Sequence, residues 1–82
     1  MLPKEYSHSR GDGNRYLWRF GRKLCQLREQ RNWDQADLEA HSGIGRSHIS
    51  QLENGKEEPG LRTLEILAIS FNLSVSELLR DL

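Results

Sequence analysis

The 82-residue sequence contains a single cysteine, Cys25, and no long apolar run. One cysteine cannot form a disulfide within the chain, and roughly 20 consecutive apolar residues are needed to span a bilayer. The first residues also lack the apolar segment of a signal peptide. These absences exclude disulfide-stabilised secreted scaffolds and membrane spans, and they predict a protein of the reducing cytoplasm.

The sequence also lacks net charge, because twelve basic and twelve acidic residues cancel. The distribution is uneven, however. Residues 1–31 carry eight basic and three acidic side chains, a net charge of +5, so residues 32–82 carry −5. A local basic segment attracts polyanions even when the total charge is zero. The charge balance therefore does not exclude a nucleic-acid partner.

Recognisable catalytic and metal-binding patterns are absent. His8, His41 and His48 do not stand at zinc-ligand spacings with Cys25 or with each other. Cys25 lies beside the apolar stripe of the first predicted helix, where it is expected to fill space rather than act as a nucleophile. No glycine-rich loop follows a predicted strand, so a nucleotide-binding loop is not indicated. The sequence predicts no enzyme, cofactor, metal or small-molecule ligand.

Apolar residues recur at spacings of three and four in five segments, and no segment alternates as a strand would. This pattern predicts an all-α fold. Residues 1–14 show no periodicity and are predicted to be a flexible arm, whereas residues 15–82 form one domain. The predicted apolar positions, in chain order, are Leu17, Phe20, Leu24 and Leu27; Leu38; Ile49 and Leu52; Leu61, Leu64, Leu67, Ala68 and Phe71; and Val75, Leu78, Leu79 and Leu82.

Polar residues at fixed offsets predict where these helices begin and end. Asn32 and Asn72 suit the left-handed conformation that terminates a helix. Asp34 is a good N-cap, and Ser74 with Glu77 has the spacing of a capping box.

The segment 35–52 predicts two short helices joined by a glycine-containing turn, which is the helix-turn-helix arrangement. Its apolar residues are expected to fix the corner between the helices. The exposed face of the second helix then carries side chains able to meet base edges or phosphates, against the alternative of an ordinary solvated face. The corner residues are Leu38, Ile44, Ile49 and Leu52, and the exposed ones are Arg46, Ser47, Ser50 and Gln51.

From about Phe20 to Leu79 the chain resembles the Cro/CI-type, or XRE-type, helix-turn-helix domain. Phage repressors and restriction-modification controller proteins contain this domain. The resemblance rests on Leu24, Leu27-Arg28-Glu29, Gln35, Leu38, Ser42-Gly43-Ile44, Ile49-Ser50-Gln51-Leu52-Glu53-Asn54-Gly55-Lys56, Pro59 and Leu61. It implies a compact five-helix, lambda-repressor-like domain. It also implies a sequence-specific transcriptional regulator that binds double-stranded DNA as a homodimer, with a recognition helix at about 45–53 in the major groove.

The resemblance also implies roles for individual residues. Gln35 matches a residue that donates to a phosphate and braces the recognition helix. Base-reading positions correspond to Arg46, Ser47, Ser50 and Gln51, and backbone-gripping positions correspond to Asn54 and Lys56. Arg28 and Glu53 match an ion pair between the first and third helices. Arg19, Arg22 and Lys23 lie outside the matched positions and are either solvated or involved in long-range steering.

Three acidic residues depart from the family pattern. Glu39 replaces a small residue of the second helix, so its carboxylate must turn outward or find a partner, while Ala40 suggests that the small residue has moved by one. Glu57 and Glu58 place negative charge near the expected phosphate path. The alternative function is therefore a protein-interaction module on the same fold, such as an antitoxin half.

Ile66 and Ile69 stand where the family commonly has polar residues, so they predict an extra apolar strip beside the core. Leu73, Val75, Leu79 and Leu82 are candidates to extend it. The strip is interpreted as a homodimer interface, against the alternative of scattered surface isoleucines.

Overall fold

The structure is a computed structural model that describes the backbone of residues 9–82 and the side chains of residues 15–82. Within this part of the chain five helices follow one another and no strand occurs: α1 (Ser9–Gln30), α2 (Gln35–Ser42), α3 (Arg46–Glu53), α4 (Leu61–Ser70) and α5 (Val75–Leu78). The predicted all-α fold is confirmed for these residues.

Helix α1 is longer than the sequence predicts. It begins at Ser9 rather than near Arg15, so residues 9–14 of the predicted arm are helical. The rest of that arm, residues 1–8, lies outside the described residues. Although α1 has 22 residues, no helix in the described part of the chain is long and apolar enough to cross a membrane.

The core consists of apolar side chains from all five helices. The stripe residues predicted for α1 to α3 contribute Phe20, Leu24, Leu27, Leu38, Ile49 and Leu52, and the later helices contribute Leu64, Leu67, Ala68, Phe71 and Leu78. One predicted stripe residue is wrongly placed: Leu61 is 84% exposed. It is the first residue of α4, and no other helix covers that end of α4.

Helix ends follow the predicted local chemistry. Asn32 and Asn72 both have φ of 59°, the left-handed conformation that ends α1 and α4. Asp34 accepts a hydrogen bond from the Asp37 backbone N–H and Ser74 caps α5 with Glu77, so both helices begin with capping boxes. The backbone N–H of Asp37 lowers the pKa of Asp34 because it stabilises the ionised carboxylate.

The corner between α2 and α3 is fixed by backbone conformation and burial. Gly43 ends α2 with φ of 77°, which a residue without a Cβ adopts freely. The Ser42 hydroxyl donates to the Leu38 carbonyl at 2.7 Å and accepts from the Ile44 N–H at 3.0 Å. Ile44 itself is buried. Together these contacts fix the direction in which α3 leaves the corner.

Candidate nucleic-acid interface

Helix α3 has one buried face and one polar face. Ile49 and Leu52 are completely buried, because they turn toward α1 and α2. On the other side Arg46, Ser47 and Gln51 are exposed and Ser50 is half-buried. The α3 residues predicted to read bases therefore lie together on one accessible surface.

Glu53, the last residue of α3, is 3% exposed and is held by three hydrogen bonds. Arg28 donates through Nε to Oε2 at 2.7 Å and through Nη2 to Oε1 at 3.1 Å. Gln35 donates through Nε2 to Oε1 at 3.0 Å. This carboxylate thus joins α1, α2 and α3. A buried carboxylate is tolerated when its oxygens accept such charge-assisted bonds.

The residues around Glu53 also keep the Cys25 thiol unreactive. Arg28 Nη2 lies 3.4 Å from the Cys25 Sγ. Burial raises the pKa of the Cys25 thiol, and the nearby Glu53 charge raises it further. The thiol is therefore protonated at neutral pH, and the thiolate needed for a nucleophile is disfavoured.

Helix α1 approaches the end of α3 at Gly21, which the sequence does not single out. A Cβ built at this glycine would stand 2.4 Å from the Glu53 carbonyl oxygen and 2.6 Å from that of Leu52. The neighbouring Arg22 donates to the Glu53 carbonyl at 2.7 Å. One sequence feature could have indicated this close approach. Gly21 lies on the same helix face as the core residue Leu24, and a glycine within a helix costs about 1 kcal/mol relative to alanine.

Two other cations of α1 hold the C-terminal segment. Arg19 donates to the Leu82 carbonyl at 2.6 Å, and Lys23 donates to the carbonyls of Glu77 and Arg80 at 3.1 and 2.9 Å. Glu77 lies in the last turn of α5, and Arg80 and Leu82 follow that helix. The sequence left open whether these side chains are solvated or steer DNA from a distance; the structure shows that they also bind residues 77–82 to α1.

The loop after α3 carries the two predicted backbone-gripping residues. Asn54 donates from Nδ2 to the Ser50 carbonyl at 2.8 Å, so its amide closes the end of α3. Lys56 is exposed. Gly55 has φ of 68° and packs so closely that a Cβ would stand 3.0 Å from the Trp18 Cα. The loop is thus pressed against α1, with Asn54 and Lys56 still accessible.

Two carboxylates lie beside basic side chains of α3. Glu39 Oε1 is 3.5 Å from Arg46 Nε, and Glu57 Oε1 is 3.6 Å from His48 Nε2. Glu39 has therefore found a partner. The interpretation that Ala40 took over the small packing position is wrong, because Ala40 is exposed. No small residue is needed at position 40, because Glu39 lies at the edge of the α2–α3 contact and its carboxylate stays outside the core.

The predicted dimer residues divide into two groups. Ile69 is 71% exposed. The others are partly buried and pack against the core of their own chain: Ile66, Leu73, Val75, Leu79 and Leu82. Leu61, eight residues before Ile69 on α4, adds a second exposed apolar side chain. Leu61 and Ile69 are therefore the exposed large apolar side chains of α4.

No metal centre accompanies this surface in the part of the chain whose side chains are described. Residues 15–82 contain no group of three or more His, Cys, Asp or Glu side chains close enough to hold an ion.

The sequence is similar to a known protein family and to several known regulators. The sequence model of a family described as helix-turn-helix matches residues 26–78. The chain is 34% identical to the control protein C.MunI from a Mycoplasma species, over 78% of this chain and 88% of that protein. It is 41% identical to the competence pilus inhibition repressor of Acinetobacter baylyi, over 71% of this chain and 53% of that protein.

A solved structure shows the same architecture. The crystal structure of the restriction-modification controller protein C.AhdI from Aeromonas hydrophila superposes with a TM-score of 0.72 at 31% identity, covering 76% of this chain and 94% of that one. The predicted compact five-helix fold is confirmed by this likeness. The chain spans about half the length of the Acinetobacter repressor and 27% of another curated relative.

Proposed function

This chain belongs to the XRE-type helix-turn-helix family of DNA-binding transcriptional regulators, and we propose that it recognises a specific sequence of double-stranded DNA as a homodimer. The observation that carries the proposal is the polar face of α3. Its donors are accessible, while its other face is held by the core and by Glu53. A rigid helix of this kind presents side chains to base edges in the major groove.

Within that face, side-chain chemistry separates reading from positioning. Arg46 has the planar fork that matches O6 and N7 of guanine, and the Gln51 amide suits N6 and N7 of adenine. Lys56 is a flexible point charge beyond the helix, suited to a phosphate. We therefore assign sequence preference to Arg46 and Gln51, and sequence-independent affinity to Lys56.

Replacing Arg46 and Lys56 separately tests this assignment. Arg46→Ala is expected to cost about 1–3 kcal/mol on the preferred duplex and to relax preference at one base pair per half-site. Lys56→Ala is expected to weaken binding to all duplexes alike and to lower the salt slope by about one per half-site, because each protomer has one cation fewer to neutralise a phosphate. Fluorescence anisotropy on preferred and scrambled duplexes at several salt concentrations measures both effects.

The two variants serve as controls for each other, because both side chains are exposed and neither change disturbs the core. If Arg46→Ala lowers affinity equally for preferred and scrambled duplexes, Arg46 grips a phosphate and does not read a base.

The proposed homodimer rests on the exposed apolar surface of α4. A two-fold dimer sets two recognition helices about 34–36 Å apart, one turn of DNA, so each half-site receives one α3. Ile69 is the residue of the predicted interface with the most accessible apolar surface. A self-association surface explains why an isoleucine stands there.

Ile69→Lys is expected to convert the dimer to a monomer at micromolar concentration, because a desolvated ammonium in an apolar interface is costly. Gln30→Lys, an exposed position on α1, adds the same charge elsewhere and should leave the dimer intact. Sedimentation equilibrium distinguishes the two states. A dimeric Ile69→Lys variant would remove this surface as the interface.

A protein-interaction module is the second candidate, and the carboxylates beside α3 favour it. Glu39 and Glu57 each place negative charge within 4 Å of a basic side chain of α3. Such pairs reduce the attraction of this face for a polyanion. This candidate predicts weak binding to duplexes of every sequence and tight binding to a partner protein.

A further inference from the structure

We propose that Glu39 is a specificity-determining residue, which positions Arg46 for base reading and keeps it from gripping a phosphate. The inference rests on the proposed function, because it concerns how the same face of α3 selects DNA. Nothing in the sequence pattern assigned a binding role to Glu39. The contact itself, Glu39 Oε1 to Arg46 Nε at 3.5 Å, joins α2 to the first residue of α3.

The atoms in this contact decide what remains available for DNA. Arg46 Nε is the guanidinium nitrogen nearest the carboxylate, at 3.5 Å, and the Arg46 side chain is 63% exposed. The two Nη nitrogens of Arg46 form the fork that pairs with O6 and N7 of guanine. The carboxylate therefore attracts the guanidinium from its Nε side, while most of the Arg46 side chain stays accessible to DNA.

The placement of both charges argues against a role in stability. Glu39 stands in the second half of α2, where the partial negative charge of the helix end disfavours a carboxylate. Arg46 is the first residue of α3, where the partial positive charge disfavours a cation. The two side chains are 40% and 63% exposed. Exposed pairs contribute little to folding, so folding stability does not explain why these two charges stand together.

Charge also determines which part of DNA the pair prefers. An unpaired arginine at the start of a recognition helix is attracted to the phosphate backbone. The Glu39–Arg46 pair has no net charge, and the Asp34 carboxylate lies close enough for the Arg46 charge to contribute to lowering its pKa. Phosphate attraction is thereby weakened, whereas the directional hydrogen bonds to guanine are retained. The Glu39 carboxylate thus shifts the role of Arg46 from sequence-independent phosphate binding to base recognition.

Selection from a random duplex pool tests the inference with wild type, Glu39→Ala and Glu39→Gln. Glu39→Ala is expected to lose about tenfold in preference at the base pair read by Arg46, while its affinity for scrambled DNA rises several-fold and its salt slope steepens by about one per half-site. Glu39→Gln keeps the shape of the side chain but removes its charge, so it should lose base preference to nearly the same extent as Glu39→Ala.

Glu57→Ala is the matched control, because it also removes a carboxylate beside α3, at 47% exposure and 3.6 Å from its partner His48. It should raise affinity for scrambled DNA and leave the preference at the Arg46 base pair unchanged. Thermal melting of Glu39→Ala within a few degrees of wild type shows that the fold is intact.

Two results would overturn the role of Glu39 while leaving the proposed function standing. One is that Glu39→Ala enriches the wild-type motif with undiminished preference. The other is that Glu39→Gln keeps the full wild-type preference, so the charge of Glu39 has no role in positioning Arg46. If wild type itself enriches no sequence, the proposed function fails, and this inference fails with it.

Discussion

Glu53→Ala is expected to unfold the domain or nearly so, with a loss of about 3–5 kcal/mol. The Glu53 carboxylate is 3% exposed and accepts three hydrogen bonds, two from Arg28 and one from Gln35. Alanine would leave the Arg28 guanidinium, whose side chain is 11% exposed, without its counter-charge. Since small domains lose about 4–8 °C per kcal/mol, the melting temperature should fall by roughly 12 °C or more.

Circular dichroism melts of Glu53→Ala, Glu53→Gln and Glu57→Ala measure this effect. Glu57 pairs with His48 at the surface, so its removal should change stability by less than about 1 kcal/mol. Glu53→Gln keeps the shape but removes the charge, and it should fall between the other two. A shift of only a degree or two for Glu53→Ala would mean that the buried pair does not hold the helices together.

Gly21→Ala is expected to destabilise the domain, although the same change within a helix ordinarily stabilises by about 1 kcal/mol. The added Cβ would stand 2.4 Å from the Glu53 carbonyl oxygen and 2.6 Å from that of Leu52. Both are backbone atoms of α3 that cannot rotate away. Overpacking of this kind costs about 1–3 kcal/mol, and α3 must shift relative to α1 to relieve it.

Urea titration of Gly21→Ala and Gly60→Ser separates this clash from the general effect of replacing glycine. A Cβ at Gly60 meets no atom within 4 Å, and serine is a better N-cap for α4. Gly60→Ser should therefore be neutral or stabilising by a few tenths of a kcal/mol. A Gly21→Ala protein as stable as wild type would contradict the close approach of α1 to α3.

Local features of the fold were predictable from sequence because each depends on residues near one another in the chain. Asp34, Asn32 and Ser74 set helix ends through bonds to adjacent backbone, and they behave as predicted. Leu61 shows the limit of periodicity, because spacing identifies a helix face without showing whether another helix covers it. Its 84% exposure is a property of the assembled fold.

The candidate site likewise has features that were predictable from sequence and features that depend on the assembled fold. The accessible positions of Arg46, Ser47 and Gln51 follow from burying the opposite face of α3. The contact of Glu39 with Arg46 joins two helices, so it depends on the angle at which they cross. The close approach of Gly21 to the Glu53 carbonyl also joins two helices and depends on their crossing. Sequence spacing within α1 places Gly21 on the face of Leu24, but it does not identify the partner atoms of either contact.

Selection of binding sites by the wild-type protein from a pool of random duplexes tests the central claim most directly. A homodimer with one recognition helix per half-site should enrich a two-fold symmetric motif, with half-site centres about 10 base pairs apart and a guanine in each half for Arg46. After repeated rounds, a pool still random in sequence would contradict specific DNA recognition. It would favour a protein partner for the polar face of α3.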